Sequence, residues 1–300
     1  MMVENLVELV FAAEDIVGES AVWDVPRRRL LWVDIVGKTI HALVPETGAH
    51  QRWSTPDFVT SIGLRKDGGA IVGLSREICL WDFDDHFRTL ARIEPDLPGN
   101  RLNEGVVGPD GAFWIGTMQN NIAPDGSPMD MTADTGRLYR CLPDGGVKPL
   151  SNDLFGLTNT LVWPKSGGLI TADTGANEIY RYDYDPHSGQ LSNRRPIVSG
   201  FDRGLPDGSA MDAEGYIWNC RVVGGGCLLR FDPDGHVDRV VDLPCSWPTS
   251  CAFGREQLDT LYVTSARFTM EPAQLAQNPQ EGGVFRLKPG VSGLETHRFG

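Results

Sequence analysis

Short apolar runs of strand length recur along this chain, separated by a few polar residues and by turn clusters rich in Asp, Pro and Gly. The segment LLWVDIVGKTIHALVPETGAHQRW (residues 30–53) reads as a strand, a polar break, a second strand, a turn and a third strand. GAIVGLSREICLWDFDDHFRTLARI (69–93) repeats that order. A third copy is GAFWIGTM, interrupted and resumed as GRLYRCLPDGGVKPL. GLITADTGANEIYRYDYDPHSGQLSNRRPI and GYIWNCRVVGGGCLLRFDPDGHVDRVVDL follow, and TLYVTSARF resumed as GGVFRLKPG ends the series. Strand-length runs punctuated by turn residues predict an all-β protein. The turns PETG, FDDH, LPDG, DPHSG and DPDG carry the residue types that hairpin bends require. A helix is expected only at PAQLAQ, near 272–277.

The repeat has a period. Anchored on Trp32, Ile71, Trp114, Ile170, Trp218 and Tyr262, the copies are spaced by 39, 43, 56, 48 and 44 residues. That is the spacing of four-stranded propeller blades, and six such copies close a ring without exposed sheet edges. The run LVELVFA (6–12) precedes the first full copy and is the expected completing strand of the last blade, near Val284–Leu287. The expected architecture is a six-bladed β-propeller closed by the N-terminal strand, one domain over residues 1–300. A two-sheet sandwich offers no reason for the repeat.

Composition narrows the function classes. The chain has 300 residues, 41% apolar and 22% charged, which suits a soluble globular protein and excludes disorder, collagen and coiled coil. No apolar run reaches the ~18 residues of a membrane span. The opening MMVENLVELVFAAEDIVGES carries acids where a secretion signal needs basic residues, so a cytoplasmic protein is expected. The net charge of -13 argues against nucleic acid and anionic membrane as partners. Six scattered cysteines without a C-x-x-C pair predict buried free thiols. The six histidines form no metal motif, so any metal site must be built from oxygens.

The segments entering each copy carry the candidate chemistry, because such segments line one mouth of a propeller channel. They are GESAVWD, TSIGLRKDG, NRLNEGVVGPDG, GLTNTLVWP, GLPDGSAMDAEG and WPTSCAFG. Glu19, Asn103, Asn159 and Asp207 offer carboxylate or amide oxygens there, the donor type that hard divalent ions take. The plainer reading makes Asp207-Gly208 and Asn159-Thr160 turn residues and Glu19 a solvated loop position. Arg101 lies two residues from Asn103, on the same side of an extended segment. Its guanidinium suits a polyhydroxylated ligand, or a loop carbonyl equally well. The run Arg27-Arg28-Arg29 is expected to be solvated, and Trp32, Trp114 and Trp218 to be packing residues.

Eight motifs in order, GESAVWD, RLNEG, WIGTM, GRLYR, LTNTLVWP, LPDGSAMDAEGYIW, PTSCAFG and LYVTSAR, make the chain similar to the regucalcin (senescence marker protein)/gluconolactonase family over roughly residues 10–290. The resemblance implies one divalent cation (Zn, Ca, Mg, Mn or Fe) held by Glu19, Asn159 and Asp207. It also implies that Arg101 and Asn103 contact substrate hydroxyls, and that the reaction is hydrolysis of a sugar lactone to the open-chain acid. Asp207 would then be both ligand and general base, with Asn121 as a further substrate contact. Four positions depart from the family pattern. Ser20 and Thr160 stand where Gly is usual, Glu104 where Asp is usual, and Asn121 lies in the segment where some members carry a Glu that touches the sugar. No G-x-S-x-G elbow offers a serine alternative. The competing functions are a metal-dependent organophosphate or aryl-ester hydrolase and a non-enzymatic calcium-binding regulator. The oligomeric state is not legible.

Overall fold

The computed structural model describes residues 6–300, and among these the chain forms six antiparallel sheets arranged as a six-bladed β-propeller. Five sheets have four strands and one has five. The innermost strands are Gly18–Asp24, Val59–Arg65, Asn100–Val107, Thr158–Val162, Leu205–Met211 and Pro248–Gly254. The anchor residues of the repeat all fall in the second strand of their blade. The segments read as approaches to the first strands are therefore themselves the innermost strands. Their polar, small residues hid the strand pattern because one face looks into the channel rather than into the core.

Every inner strand breaks register with its neighbour near the middle: between Glu19 and Val22, Val59 and Ser61, Leu102 and Gly105, Asn159 and Leu161, Pro206 and Ser209, and Pro248 and Cys251. A β-bulge re-aims the side chains beside it and sharpens the local twist. Here it puts Glu19, Asn103, Asn159 and Asp207 at the bend, where an ordinary strand would send alternate residues into the blade. Asp207-Gly208 and Asn159-Thr160 are bulge residues inside strands, not turn residues.

Two of the bends use non-glycine residues in the left-handed region, Ser20 (φ 54°) and Thr160 (φ 57°). These are the positions where glycine was the expected residue, and the backbone shows why. Their hydroxyls are put to use between blades. Ser20 Oγ accepts from the Ile62 amide at 2.9 Å. Thr160 Oγ1 donates to the Asp207 carbonyl and lies 2.9 Å from Ser209 Oγ. Thr249 Oγ1 donates to the Gly18 carbonyl, and Ser250 Oγ accepts from the Ala21 amide at 3.1 Å. Hydroxyl bonds thus tie the first inner strand to the second, the fourth to the fifth and the sixth to the first.

Between blades the packing is apolar. Leu31, Val33 and Ile40 of the first blade pack against Val59, Ile62 and Val72 of the second, and comparable clusters fill the other seams. Trp32, Trp114 and Trp218 are fully buried, and each indole Nε1 donates to an aspartate: Asp15 at 2.7 Å, Asp110 at 3.1 Å and Asp212 at 2.9 Å. Arg29 departs from the solvated reading of its run. It is buried, with Nε 3.2 Å from the buried Asp24, while Arg27 and Arg28 stay exposed. All six cysteines are buried free thiols. The expected helix is present at Pro272–Gln277, and among the described residues no helix is long and apolar enough to cross a membrane.

Both ends of the described chain enter blades. Glu8–Phe11 lies antiparallel to Val284–Leu287, with Glu8 opposite Arg286 and Leu9 opposite Phe285. Arg298–Phe299 pairs in parallel with Leu64 and Arg65, on the free edge of the second blade's inner strand. The segment before it, Leu294–His297, lines a cavity of about 150 Å³ at the other end of the channel.

Gly208 is required by close approach. A Cβ there would lie 2.9 Å from the Thr249 carbonyl oxygen and 3.0 Å from Ser250 Cα. Gly208→Ala is expected to destabilise the fold by ~1–3 kcal/mol through forced separation of the fifth and sixth inner strands, read as a lower urea midpoint at unchanged m-value.

Candidate functional site

Glu19, Arg101, Asn103, Asn121, Asn159 and Asp207 all line one cavity of about 320 Å³. They come from the first, third, fourth and fifth blades. Except for Asn121, which is half-buried, each is buried, and the bulges explain how polar side chains from separate strands meet there.

The floor is dominated by carboxylates. Glu19 and Asp207 lie within hydrogen-bonding reach of each other, the charge of Glu104 acts on Asp207, and that of Glu19 acts on Glu104. Burial pushes the Glu19 carboxyl well above its usual range, the charge of Asp207 adds to this, and the Ser20 amide, donating to Oε2 at 2.7 Å, opposes it. Burial also raises Asp207, helped by the charge of Glu104. Two such groups in low dielectric cannot both ionise cheaply, so the pair holds a proton that free carboxylates would have lost. Glu104, on the rear-cavity side of the channel, is pushed up to about 8 by burial and then by Glu19.

A polar frame surrounds the pair. Arg101 donates Nη1 to Asn103 Oδ1 at 2.8 Å and to the Leu102 carbonyl at 2.9 Å. Its Nε and Nη2 reach Asn121 Oδ1 at 3.3 and 2.9 Å. Burial lowers its pKa to about 10, with the charge of Glu19 opposing. Asn103 Nδ2 donates to the Thr158 carbonyl at 2.8 Å and to Asn159 Oδ1 at 3.2 Å. Asn159 Nδ2 donates to Thr174 Oγ1 at 2.8 Å, and Thr174 Oγ1 donates onward to the Pro206 carbonyl at 2.7 Å. Thr174 therefore fixes which end of the Asn159 amide carries its oxygen toward Asn103 and the cavity.

A divalent cation fits this donor set. Two buried carboxylates face each other with only Arg101 and the more distant Arg221 as positive groups, and an amide oxygen is oriented beside them. Among the described residues no cluster of three or more His, Cys, Asp or Glu has metal-binding geometry, so the set consists of two carboxylates and an amide. A hard cation there completes its shell with water or substrate oxygen.

Sequence reasoning did not pick out Thr174 or Glu104 as part of the site. Thr174 sits in a loop after a second strand, with no local signal beyond Asp173-Thr174. Glu104 was visible only as a replacement for Asp.

The molecule is thus a six-bladed propeller with a carboxylate–amide–guanidinium pocket in one mouth of its channel. Residues 17–267 match the profile described as the SMP-30/Gluconolactonase/LRE-like region. Regucalcin of Oryctolagus cuniculus is 35% identical over 287 residues, covering 94% of each chain. A 6-deoxy-6-sulfogluconolactonase of Pseudomonas putida is 33% identical over 290 residues, covering 95% of each. The crystal structure of a calcium-binding protein, regucalcin, from Agrobacterium tumefaciens superposes with a TM-score of 0.89 at 27% identity, covering 99% of this chain and 98% of that one. The chain belongs to the SMP-30/gluconolactonase/LRE-like family.

Glu104 yields a pH prediction. Its carboxyl titrates near 4.5 when free and near 8 when folded. The folded state then binds the proton more tightly, so the stability it contributes is complete below ~4.5 and is lost as pH rises through ~8. In chelated protein, Glu104→Gln is expected to flatten this loss, and the wild-type minus variant melting temperature should become steadily more negative from pH 5 to pH 8.5.

Proposed function

We propose that this protein hydrolyses a sugar lactone to the open-chain sugar acid, at a divalent cation held by Glu19, Asn159 and Asp207. The observation that carries the reading is the meeting, at one cavity floor, of two buried carboxylates whose proton affinity burial raises, an oriented amide and a framed guanidinium. Family membership supplies the substrate class.

When bound, the cation polarises the lactone carbonyl and lowers the pKa of water beside it. Asp207 takes the proton from the attacking water, since it is a carboxylate whose affinity for protons is already raised by burial. Glu19 contributes negative charge, and Thr160 anchors the backbone of Asp207 through its carbonyl. Arg101 uses four of its five N–H donors on Asn121, Asn103 and Leu102, leaving one Nη2 hydrogen for a ring hydroxyl. The frame holds the guanidinium rigid, so little freedom is lost when substrate arrives. If Asn159 Oδ1 turns to a cation, Asn103 Nδ2 gives up its longer bond and gains a donor for the substrate. Among the described residues Asn121 Nδ2 has no hydrogen-bond acceptor, and Asn121 lines the same cavity.

An aryl-ester or phosphotriester substrate carries no ring hydroxyls for the remaining Arg101 Nη2 hydrogen and the half-buried Asn121 amide to meet. A purely cation-binding role would give them no ligand. Both competing readings are therefore weaker. The acidic surface and the fold suit a small-molecule substrate within a single propeller domain.

Asp207→Asn is expected to lower kcat by ~100-fold or more, as loss of a general base does, with a smaller effect on KM. Arg101→Ala should raise KM and compress the spread of rates among pentono- and hexonolactones, because it removes uniform binding. Steady-state kinetics by acid release on two lactones reads both. Near-normal turnover by Asp207→Asn would remove the base from the mechanism.

Cation affinity should strengthen as pH rises, since the raised Glu19–Asp207 pair must release its proton to bind. Thr174→Val frees the Asn159 amide to rotate and should weaken affinity by ~10- to 100-fold. Titration calorimetry in two buffers of different ionisation enthalpy measures both the affinity and the proton released.

A further inference from the structure

The cavity changes character from floor to mouth. Its charged lining residues, Glu19, Arg101 and Asp207, are all buried at the floor. Toward solvent the wall is Pro128, Met129, Val223, Trp247 and Phe268, contributed by loops of the third, fifth and sixth blades. Asn121 and Thr269 are the polar groups interrupting this collar, and among the described residues no charged side chain lines it. Met129 and Val223 are each 47% exposed, so neither is there to fill a core.

Val223 adds a second, independent observation. Its φ is 56°, in the left-handed region, where a β-branched residue is strained. Three glycines follow it in the same turn, so the chain had unstrained residues at hand next door. The neighbouring Val222 pairs with Leu205, two residues before Asp207, so the strained residue rises directly from the strand pair that carries the proposed base. Strain of this kind persists where the surroundings impose it, and it gathers at ligand sites.

We infer that the natural substrate is a lactone whose exocyclic tail is deoxygenated and uncharged, ending in a methyl or other alkyl group that packs against Val223 and Met129 in the apolar collar. This rests on the lactonase reading above and specifies its substrate. The carbonyl and the ring hydroxyls meet the polar floor, so the tail is the part left to face the collar. A hydroxymethyl tail loses water there without gaining a partner. A sulfonated or phosphorylated tail meets no positive group, because Arg101 lies at the floor and is bonded to Asn103 and Asn121. This chain thus diverges in tail preference from its relative named for a sulfonated lactone.

The test uses three lactones with one ring and three tails: galactono-1,5-lactone, its 6-deoxy counterpart and its 6-deoxy-6-sulfo counterpart. Each is assayed with the full chain and several divalent cations. The 6-deoxy compound should show the highest kcat/KM, ahead of the hydroxymethyl compound by ~10- to 100-fold, the range over which an apolar pocket discriminates a hydroxyl. Val223→Asn keeps a residue that tolerates the left-handed region and supplies a donor, and Met129→Gln supplies another. Both should narrow that ratio at least fivefold without loss of melting temperature. A second readout is independent of turnover: the methyl-tailed lactam should raise the melting temperature more than the hydroxymethyl lactam, and Val223→Asn should shrink the difference. Preference for the hydroxymethyl or sulfomethyl tail, or an unchanged ratio in both folded variants, overturns the inference while leaving the lactonase reading intact. Failure to hydrolyse any of the three with any cation overturns both.

Discussion

Two carboxylates, Glu19 and Asp207, are buried against each other where the inner strands converge, and the rest of the site is organised around that repulsion. An isolated buried charge costs several kcal/mol, and a second like charge within reach adds to it. The protein does not neutralise the pair with a contacting base. Arg101 approaches, but its guanidinium is bonded to Asn103, Asn121 and a backbone carbonyl. A shared proton answers the charge, and the cation of the proposed function would compete with that proton for one place, which would couple its binding to pH. Glu104, farther along the channel, adds a third carboxyl to the same low-dielectric shaft.

Holding such a pair requires strands that cannot drift apart. The bulge repeated in all six inner strands turns polar side chains into the channel without breaking the blades. Where that turn demands a left-handed residue, this chain uses Ser20 and Thr160 instead of glycine, and each hydroxyl bonds the next blade. The backbone strain is offset by a cross-blade bond that glycine could not make. Thr174 completes the scheme by linking the Asn159 amide of the fourth blade to the carbonyl just before Asp207 in the fifth.

The channel is asymmetric as a result. One mouth has a charged floor beneath an apolar collar. The cavity at the other end is lined in part by the C-terminal segment, whose last strand adds to the second blade.

The blades were legible in the sequence because a strand buried in a sheet seam must carry a short apolar run, and turns between strands must carry Gly, Pro, Asp or Asn. The repeat spacing and the fully buried Trp32, Trp114 and Trp218 follow from that rule. The inner strands were read instead as approaches, since a strand facing a polar channel lacks the apolar signature on one side. Glu19, Arg101, Asn103, Asn121, Asn159 and Asp207 stood out by type and motif, yet their meeting in one cavity depends on ring closure and on six bulges. Arg29 and Glu104 show the same limit from the other side. Each is a charged residue in a polar context, and the groups it meets lie 5 to 103 positions away, Asp24 for the one and Glu19 and Asp207 for the other. Local sequence determines which residues can form a blade and which carry chemistry. Contacts between blades decide which of those groups share a dielectric, and hence which protons they keep, because that energy depends on distance through space and not on separation along the chain.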